Sequence, residues 1–383
     1  MELKELQRHI TTLVTLEESE APVVSCYLDL EAGGYRTVLG ERVAVLRKAL
    51  PATGKRQDFE AAIALIEEFL AQAVSRETKG LALFARGGPQ PFFLPLQFRV
   101  PLPNWIAVNS LPNIYHLVEL KDTYHRFVVM LAAADSIRIL GVNLGAVTQQ
   151  VWDRRPEVRR RVGRGWTKEH YQNHLRERTS QFLQEGTAVL ERLMLTGGYR
   201  HLILAGNPGV TSRIRQGLPK QLAALLVDIV HASPNDELSD VVRATLLSFI
   251  EQEEEESVAL ADKLEEAIYT DRLAAAGTRA SWEALRSRQA DVLILAKAYS
   301  PDPGWICPAC EAIEVEAPMP RTCPRCHESE LQALDVKEEM VRVAELIGCG
   351  VEVVNHSDAL IRLGGVGCLL RYRSPEQYRW KAA

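Results

Sequence analysis

Four cysteines carry the plainest chemistry in this sequence. Cys307-Pro-Ala-Cys310 and Cys323-Pro-Arg-Cys326 form two Cys-x-x-Cys pairs with twelve residues between them. Paired thiolates on two tight turns can aim four sulfurs at one point and complete a tetrahedral shell, the coordination zinc takes in structural sites. Four protein ligands leave no position for water, so such an ion would hold the chain together and take no part in a reaction. A redox dithiol and plain buried cysteines are the competing readings, and the doubled motif favours zinc. The Pro-rich segment around it, about 304–330, has no core of its own and reads as a ribbon inserted in a larger domain.

A second group is basic. Arg154, Arg155, Arg159, Arg160, Arg161 and Arg164 crowd into eleven residues, beside Trp152, Trp166, Lys168 and Tyr171. So many cations cannot enter a core without partners, whereas they suit phosphate contacts combined with stacking on unpaired bases. Gly163 and Gly165 would let such a loop approach a crowded site closely. The alternative is a solvated loop with no ligand.

Other constellations are weaker. His170 and His174 stand one helical turn apart, but KEHYQNH lacks the His-Glu-x-x-His arrangement and offers no third ligand. The turn Gly206-Asn207-Pro208-Gly209 lacks the Lys-Ser/Thr of a phosphate loop and reads as a simple turn. Cys26, Cys349 and Cys368 lie in or beside apolar runs and read as core residues. No nucleophile with a base and no poised carboxylate pair is evident.

The elements that must position these residues alternate between strands and helices. Helices are expected at Glu2–Thr15, about Val38–Leu50 and Arg56–Ser75, the last marked by Phe59, Ile63, Ile66, Leu70 and Val74 at three- and four-residue steps. Strands are expected at Val23–Leu30 and Gly80–Ala85, and strand-like pieces follow to about Pro112. A second unit opens with strands Arg126–Leu131 and Ser136–Leu144, followed by the basic loop. A helix over about Lys168–Leu195 comes next, with an apolar stripe of Tyr171, Leu175, Phe182, Val189 and Leu193. Strands His201–Ala205 and Ala224–Val230 and a helix about Glu237–Ile250 complete a β/α alternation typical of a largely parallel sheet. The acidic run 251–257 reads as a solvated linker or helix face and marks a boundary. Beyond it come helix Ser281–Gln289, strand Asp291–Ala296, the cysteine segment, helix Val336–Ile347, strand Val351–Val354, helix Asp358–Leu363 and strand Gly367–Tyr372. The expectation is three α/β domains in tandem, at 1–118, 119–252 and 253–383, the third an α/β sandwich carrying the ribbon.

With 383 residues, 46% of them apolar and 25% charged, the chain has ample material for several cores. The N-terminal segment is charged throughout, unlike a signal peptide, and no apolar run approaches the roughly 20 residues of a membrane span. Paired and scattered cysteines suit a reducing compartment, so the cytosol is the expected location. The net charge is −5, unevenly spread. From Asp153 to Arg178 nine Arg or Lys stand against four Asp or Glu; from Asp236 to Glu266 two stand against eleven.

These features together resemble the class I peptide-chain release factors of archaea and eukaryotes and their relative Pelota, in a bacterial branch of that superfamily. The most specific likeness is Gly364-Gly365-Val366-Gly367-Cys368-Leu369-Leu370-Arg371-Tyr372-Arg373, matching a family strand that follows a Gly-rich turn and ends in Leu-Arg-Tyr-Arg. Archaeal members resemble this chain further in carrying a cysteine ribbon in the same domain. In the second domain the family's Gly-Arg-Gly-Gly-Gln loop is matched by Gly163, Arg164 and Gly165, but Trp166 and Thr167 replace the second glycine and the glutamine. That glutamine positions the hydrolytic water in the family. The codon-reading Asn-Ile-Lys-Ser loop has no counterpart in Leu50–Arg56, which reads LPATGKR.

The resemblance therefore implies a non-catalytic, ribosome-binding factor occupying the A site of idle or stalled ribosomes. Arg154, Arg155, Arg159, Arg160, Arg161, Arg164, Trp166 and Lys168 would contact ribosomal RNA. A structural zinc at Cys307, Cys310, Cys323 and Cys326 is the one cofactor expected, and a monomer off the ribosome, with no DNA or membrane partner. The alternatives are a peptidyl-tRNA hydrolase or rescue factor using a non-standard loop, with His170 as a candidate group, and an adaptor for a translational GTPase.

Overall fold

The computed structural model describes residues 1–50, 54–154, 168–233 and 235–372, and the backbone alone of 152–154 and 168–176. It divides into two compact units, Tyr124–Glu253 with Met1–Leu3, and Lys4–Thr123 with Glu254–Ala383. The first and last of the three expected segments are thus built into one unit.

The first segment holds α1 (Leu3–Val14), β1 (Val23–Asp29), α2 (Tyr35–Ala49), α3 (Gly54–Gln72), β2 (Gly80–Arg86), β3 (Phe92–Phe98), β4 (Trp105–Asn109) and α4 (Tyr115–Thr123). Its strands form an antiparallel sheet in the order β3-β2-β1-β4. The apolar spacing read in α3 buries Phe59, Ile63, Ile66 and Leu70 against Val24, Cys26, Leu28, Leu81 and Leu83 of the sheet. One stripe of a helix thereby covers one face of a pleated surface.

The second unit contains β5 (Phe127–Ala132), β6 (Ser136–Asn143), β7 (Ala146–Arg154), α5 (Lys168–Gly197), β8 (Leu202–Gly206), α6 (Pro208–Gly217), the single turn α7 (Lys220–Ala223), β9 (Leu226–His231) and the first half of α8 (Leu238–Tyr269). The sheet order is β7-β6-β5-β8-β9. The expected parallel sheet is its β5-β8-β9 part, while β5, β6 and β7 run antiparallel as a meander. Alternation sorts the side chains. Val128, Met130, Leu202 and Leu204 pack with α5 and α6 on one face, and Phe127, Val129, Leu131, Ile203 and Ala205 pack with Val241, Val242 and Phe249 of α8 on the other. In α5, Phe182 and Leu193 are buried as the stripe predicted, whereas Val189 is exposed.

The turn Gly206–Gly209 starts a helix. The Asn207 side chain accepts the N–H of Gly209, and Pro208 occupies the first helical turn, where a missing N–H costs nothing. Likewise the acidic run 251–257 interrupts nothing: it lies inside α8, with Glu254, Glu255 and Glu256 exposed and Glu253 and Ser257 turned inward.

The last segment comprises β10 (Ala274–Ala276), α9 (Thr278–Arg286), β11 (Ala290–Ala296), β12 (Gly304–Ile306), β13 (Ile313–Glu314), β14 (Gln332–Leu334), α10 (Val336–Ile347), β15 (Gly350–Val354), α11 (Asp358–Arg362) and β16 (Val366–Leu370). Its main sheet runs β10-β16-β11-β15, and only β11 and β15 are parallel. The Gly-rich turn before β16 has φ of +88° at Gly364 and +81° at Gly365, a conformation that costs a side-chain-bearing residue about 1–2 kcal/mol. After β16, the Arg371 side chain donates to Asp291 Oδ1 (3.1 Å) and to the carbonyl of Gly348 (2.9 Å), which fixes the end of the strand. Cys26, Cys349 and Cys368 are buried, as their apolar flanks predict. Among the described residues no helix is long and apolar enough to cross a membrane.

Candidate functional site

The cysteine segment folds as two copies of one turn. In the first, the Cys307 N–H donates to the carbonyl of Ala312 (2.9 Å) and the Glu311 N–H to that of Cys307 (2.8 Å). In the second, Cys323 donates to Glu328 (2.7 Å) and His327 to Cys323 (2.9 Å), an identical pattern sixteen residues later. The residue after the second cysteine of each pair is left-handed in both, Glu311 at φ +54° and His327 at φ +65°. That reversal swings Cys310 and Cys326 back toward their partners. A three-stranded sheet, β13-β12-β14, carries the first turn between β12 and β13 and the second between β13 and β14.

The four sulfurs converge. Cys307 Sγ lies 3.4 Å from Cys326 Sγ, Cys310 Sγ lies 3.6 Å from Cys323 Sγ, and all four fall within 4.8 Å of one another. These separations exceed a disulfide bond of about 2.05 Å and approach the edge of about 3.8 Å of a tetrahedron with 2.3 Å metal–sulfur bonds. Burial alone would push the Cys323 thiol up, but the N–H groups of Cys326 and Arg325 and the neighbouring sulfurs outweigh it and bring the thiol down to about 7. Against the Glu328 N–H, burial and the neighbouring sulfurs push the Cys326 thiol up to about 12, and Cys310 is raised as well, so Cys323 is the thiol of this cluster that ionises first. Trp305 packs on Cys307 and Cys323 and shields the cluster from one side.

The basic segment is placed differently. Arg155, Arg159, Arg160, Arg161, Arg164 and Trp166, with His170 and His174, lie outside the residues whose side chains are described; Arg154 is the last residue of β7 and Lys168 the first of α5. Strand β7 pairs with β6 from Asn143↔Ala146 to Ser136↔Arg154, so the backbone enters the basic segment from a sheet edge and leaves it into the 30-residue helix α5. No apolar alternation marks β7 in the sequence, because the stretch Thr148 to Trp152 mixes polar residues on both faces of an edge strand.

His125, His201 and Glu253, which share no motif spacing in the sequence, bring their ligand atoms within 4.8 Å of one another. The only signal available was that His125 directly precedes the strand expected at Arg126–Leu131 and His201 opens the one expected at His201–Ala205.

Comparison with known proteins agrees with the family expectation for the central segment. Residues 112–249 match the bacterial archaeo-eukaryotic release factor family 10. No curated protein matches the sequence. Among solved structures, similarity extends to an archaeal translation termination factor, aRF1, at 15% identity over 97% of this chain and 99% of that chain, with a TM-score of 0.27. Pelota of Archaeoglobus fulgidus gives 13% identity over 97% and 93%, with a TM-score of 0.38. Dom34 of S. cerevisiae, a translation termination-like factor interacting with Hbs1, gives 12% over 77% and 82%, also at 0.38. The family match thus covers the central segment, the part of the chain that carries Gly163, Arg164 and Gly165.

Proposed function

We propose that this protein is a non-catalytic translation factor of the cytoplasm that binds the ribosome and occupies the A site of idle or stalled particles. One observation carries the reading: the segment that matches a release-factor family contains Gly163-Arg164-Gly165-Trp166-Thr167 in place of a loop ending in Gly-Gln. A water attacking the peptidyl ester needs a group to orient it, and neither an indole nor a threonine hydroxyl flanked by these arginines reproduces a primary amide. The surrounding cations, Arg154, Arg155, Arg159, Arg160, Arg161, Arg164 and Lys168, remain suited to ribosomal RNA phosphates, with Trp166 available to stack on a base.

In this reading the four cysteines hold one zinc ion with a closed shell. Zinc would tie the two turns of the ribbon together, and Cys307, Cys310, Cys323 and Cys326 supply all its ligands.

The test is peptide release. Ribosomes carrying labelled peptidyl-tRNA and incubated with excess protein should retain the peptide while a map of the complex shows the protein in the A site. Robust release that is abolished in His170→Ala would overturn the non-catalytic reading.

A further inference from the structure

His125 and His201 stand just ahead of two adjacent parallel strands, β5 and β8. Strand β5 pairs with β8 from Val128↔Leu202, and the N–H of Val128 donates to the carbonyl of His201 at 2.9 Å. In β5 the odd-numbered residues Phe127, Val129 and Leu131 face α8, and in β8 Ile203 and Ala205 do the same. The same alternation carried back two residues puts both imidazoles on that face, side by side.

Helix α8 brings the third group. Val242, Phe249 and Glu253 recur at helical spacing on its inward face, so Glu253 sits one turn beyond Phe249. Glu253 Oε2 is 3.2 Å from His125 Nε2, and Oε1 is 3.4 Å from His201 Nε2. Phe249 packs edge-on against both rings, at 5.4 Å from each, and stacks on Phe127 at 4.5 Å, which fixes the imidazoles from behind. His201 and Glu253 are buried, whereas the His125 side chain is 33% exposed and opens the cluster to solvent.

We infer that His125, His201 and Glu253 form a second metal site, for a divalent zinc-class ion bound by two imidazole nitrogens and one carboxylate. The spacing matches the chemistry. Zinc with bonds of about 2.0–2.1 Å to nitrogen and oxygen has ligand–ligand edges of about 3.3 Å; each carboxylate oxygen stands near that distance from a different imidazole, 3.2 Å for Oε2 and 3.4 Å for Oε1, and one ligand atom from each of the three residues falls within 4.8 Å of the others. Oε1 of Glu253 is buried and accepts no hydrogen bond among the described residues, although an imidazole nitrogen faces it. A simple ion pair would aim an N–H at that oxygen, whereas a shared cation needs only that both lone pairs converge. Two neutral imidazoles and one carboxylate leave a divalent ion with one positive charge and a fourth position for water, reached past His125. The ion would pin the middle of α8 to the residues just ahead of β5 and β8, at the end of the parallel strands opposite their carboxyl ends.

The full-length protein decides this by counting zinc. After saturation with zinc and removal of excess by gel filtration, the wild type should retain two ions per chain, and His125→Ala and Glu253→Gln one each. Cobalt substitution separates this site from the cysteines: intense thiolate-to-cobalt absorption should persist unchanged in both variants, while the weaker bands of a nitrogen- and oxygen-liganded cobalt disappear. His125 is partly exposed and Glu253→Gln conserves volume, so both variants should keep the wild-type circular dichroism. One zinc per chain in the wild type with the thiolate signal saturated would overturn the inference, as would two in Glu253→Gln.

Discussion

Glu338, on α10 near the end of the chain, accepts the backbone N–H of Tyr115, on α4, at 3.1 Å, and accepts that of Ile114 as well. A residue of the last segment thus satisfies the free N–H groups that open a helix of the first, a capping role played from more than two hundred positions away. Around this contact the Lys121 ammonium pairs with Glu345, and the N–H of Val353 donates to Asp122 at 2.8 Å. These bonds explain why α4 exists although its apolar pattern is too short to announce a helix.

The contact has a pH signature. Burial pushes the Glu338 carboxyl up to about 8, against the pull of the Ile114 and Tyr115 N–H groups. An acid with its folded-state value above its unfolded one holds a proton that the unfolded chain releases, so stability falls as pH rises between about 4.5 and 8. Glu338→Gln should flatten that slope, matching the wild type near pH 5 and exceeding it near pH 8. Urea unfolding at the two pH values measures it, and an unchanged slope in the variant would contradict it.

The ribbon should depend on its metal. Cys307→Ser should empty the cysteine site of zinc and loosen β12–β14, and a strong chelator should do the same to the wild type. Trp305, buried against Cys307 and Cys323, reports the change as a red-shifted fluorescence emission. Retention of the wild-type spectrum and zinc content in Cys307→Ser would argue that the cysteines are core residues and no more.

Packing in the central unit should be most sensitive at Phe249, fully buried and stacked on Phe127 with an interplanar angle of 16°. Phe249→Ala should cost about 3–5 kcal/mol, through reduced burial and the cavity left between α8 and the sheet. Gly367 of β16 leaves no room for a side chain. A Cβ there would stand 2.6 Å from Leu264 Cδ2 and 2.9 Å from the carbonyl oxygen of Ala275, so Gly367→Ala should destabilise by about 1–3 kcal/mol. Thermal unfolding monitored by circular dichroism checks both.

How much of this was legible in the sequence depends on how local each cause is. Helix α10 was read to the residue because its signals are its own: Asp335 caps it through the N–H of Glu338, and Gly348 ends it at φ +67°. The same holds for the cysteine turns, whose spacing is written in eight residues. The acidic run 251–257 left a linker and a helix face equally open, because a block of glutamates looks alike in both, and the burial of Glu253 and Ser257 between exposed neighbours decides for the helix face, with the division between the two units falling inside the run after Glu253. Helix α4 and the His125–His201–Glu253 cluster were invisible for a different reason. Their partners come from distant segments, and strand pairing decides which residues meet.

The basic segment, Arg154 to Lys168, bears the central claim, that this protein binds ribosomal RNA. Sedimentation of the protein with ribosomes at increasing salt tests that claim most directly, comparing the wild type with a chain carrying Arg159→Glu, Arg160→Glu and Arg161→Glu. The wild type should co-migrate at low salt and dissociate steeply as salt rises. The triple variant should bind more weakly and with a flatter salt dependence, because each phosphate that no longer meets an arginine lowers the slope by roughly one unit. A wild-type protein that fails to co-migrate at low salt, or a variant that binds as tightly and as steeply as the wild type, would contradict the claim.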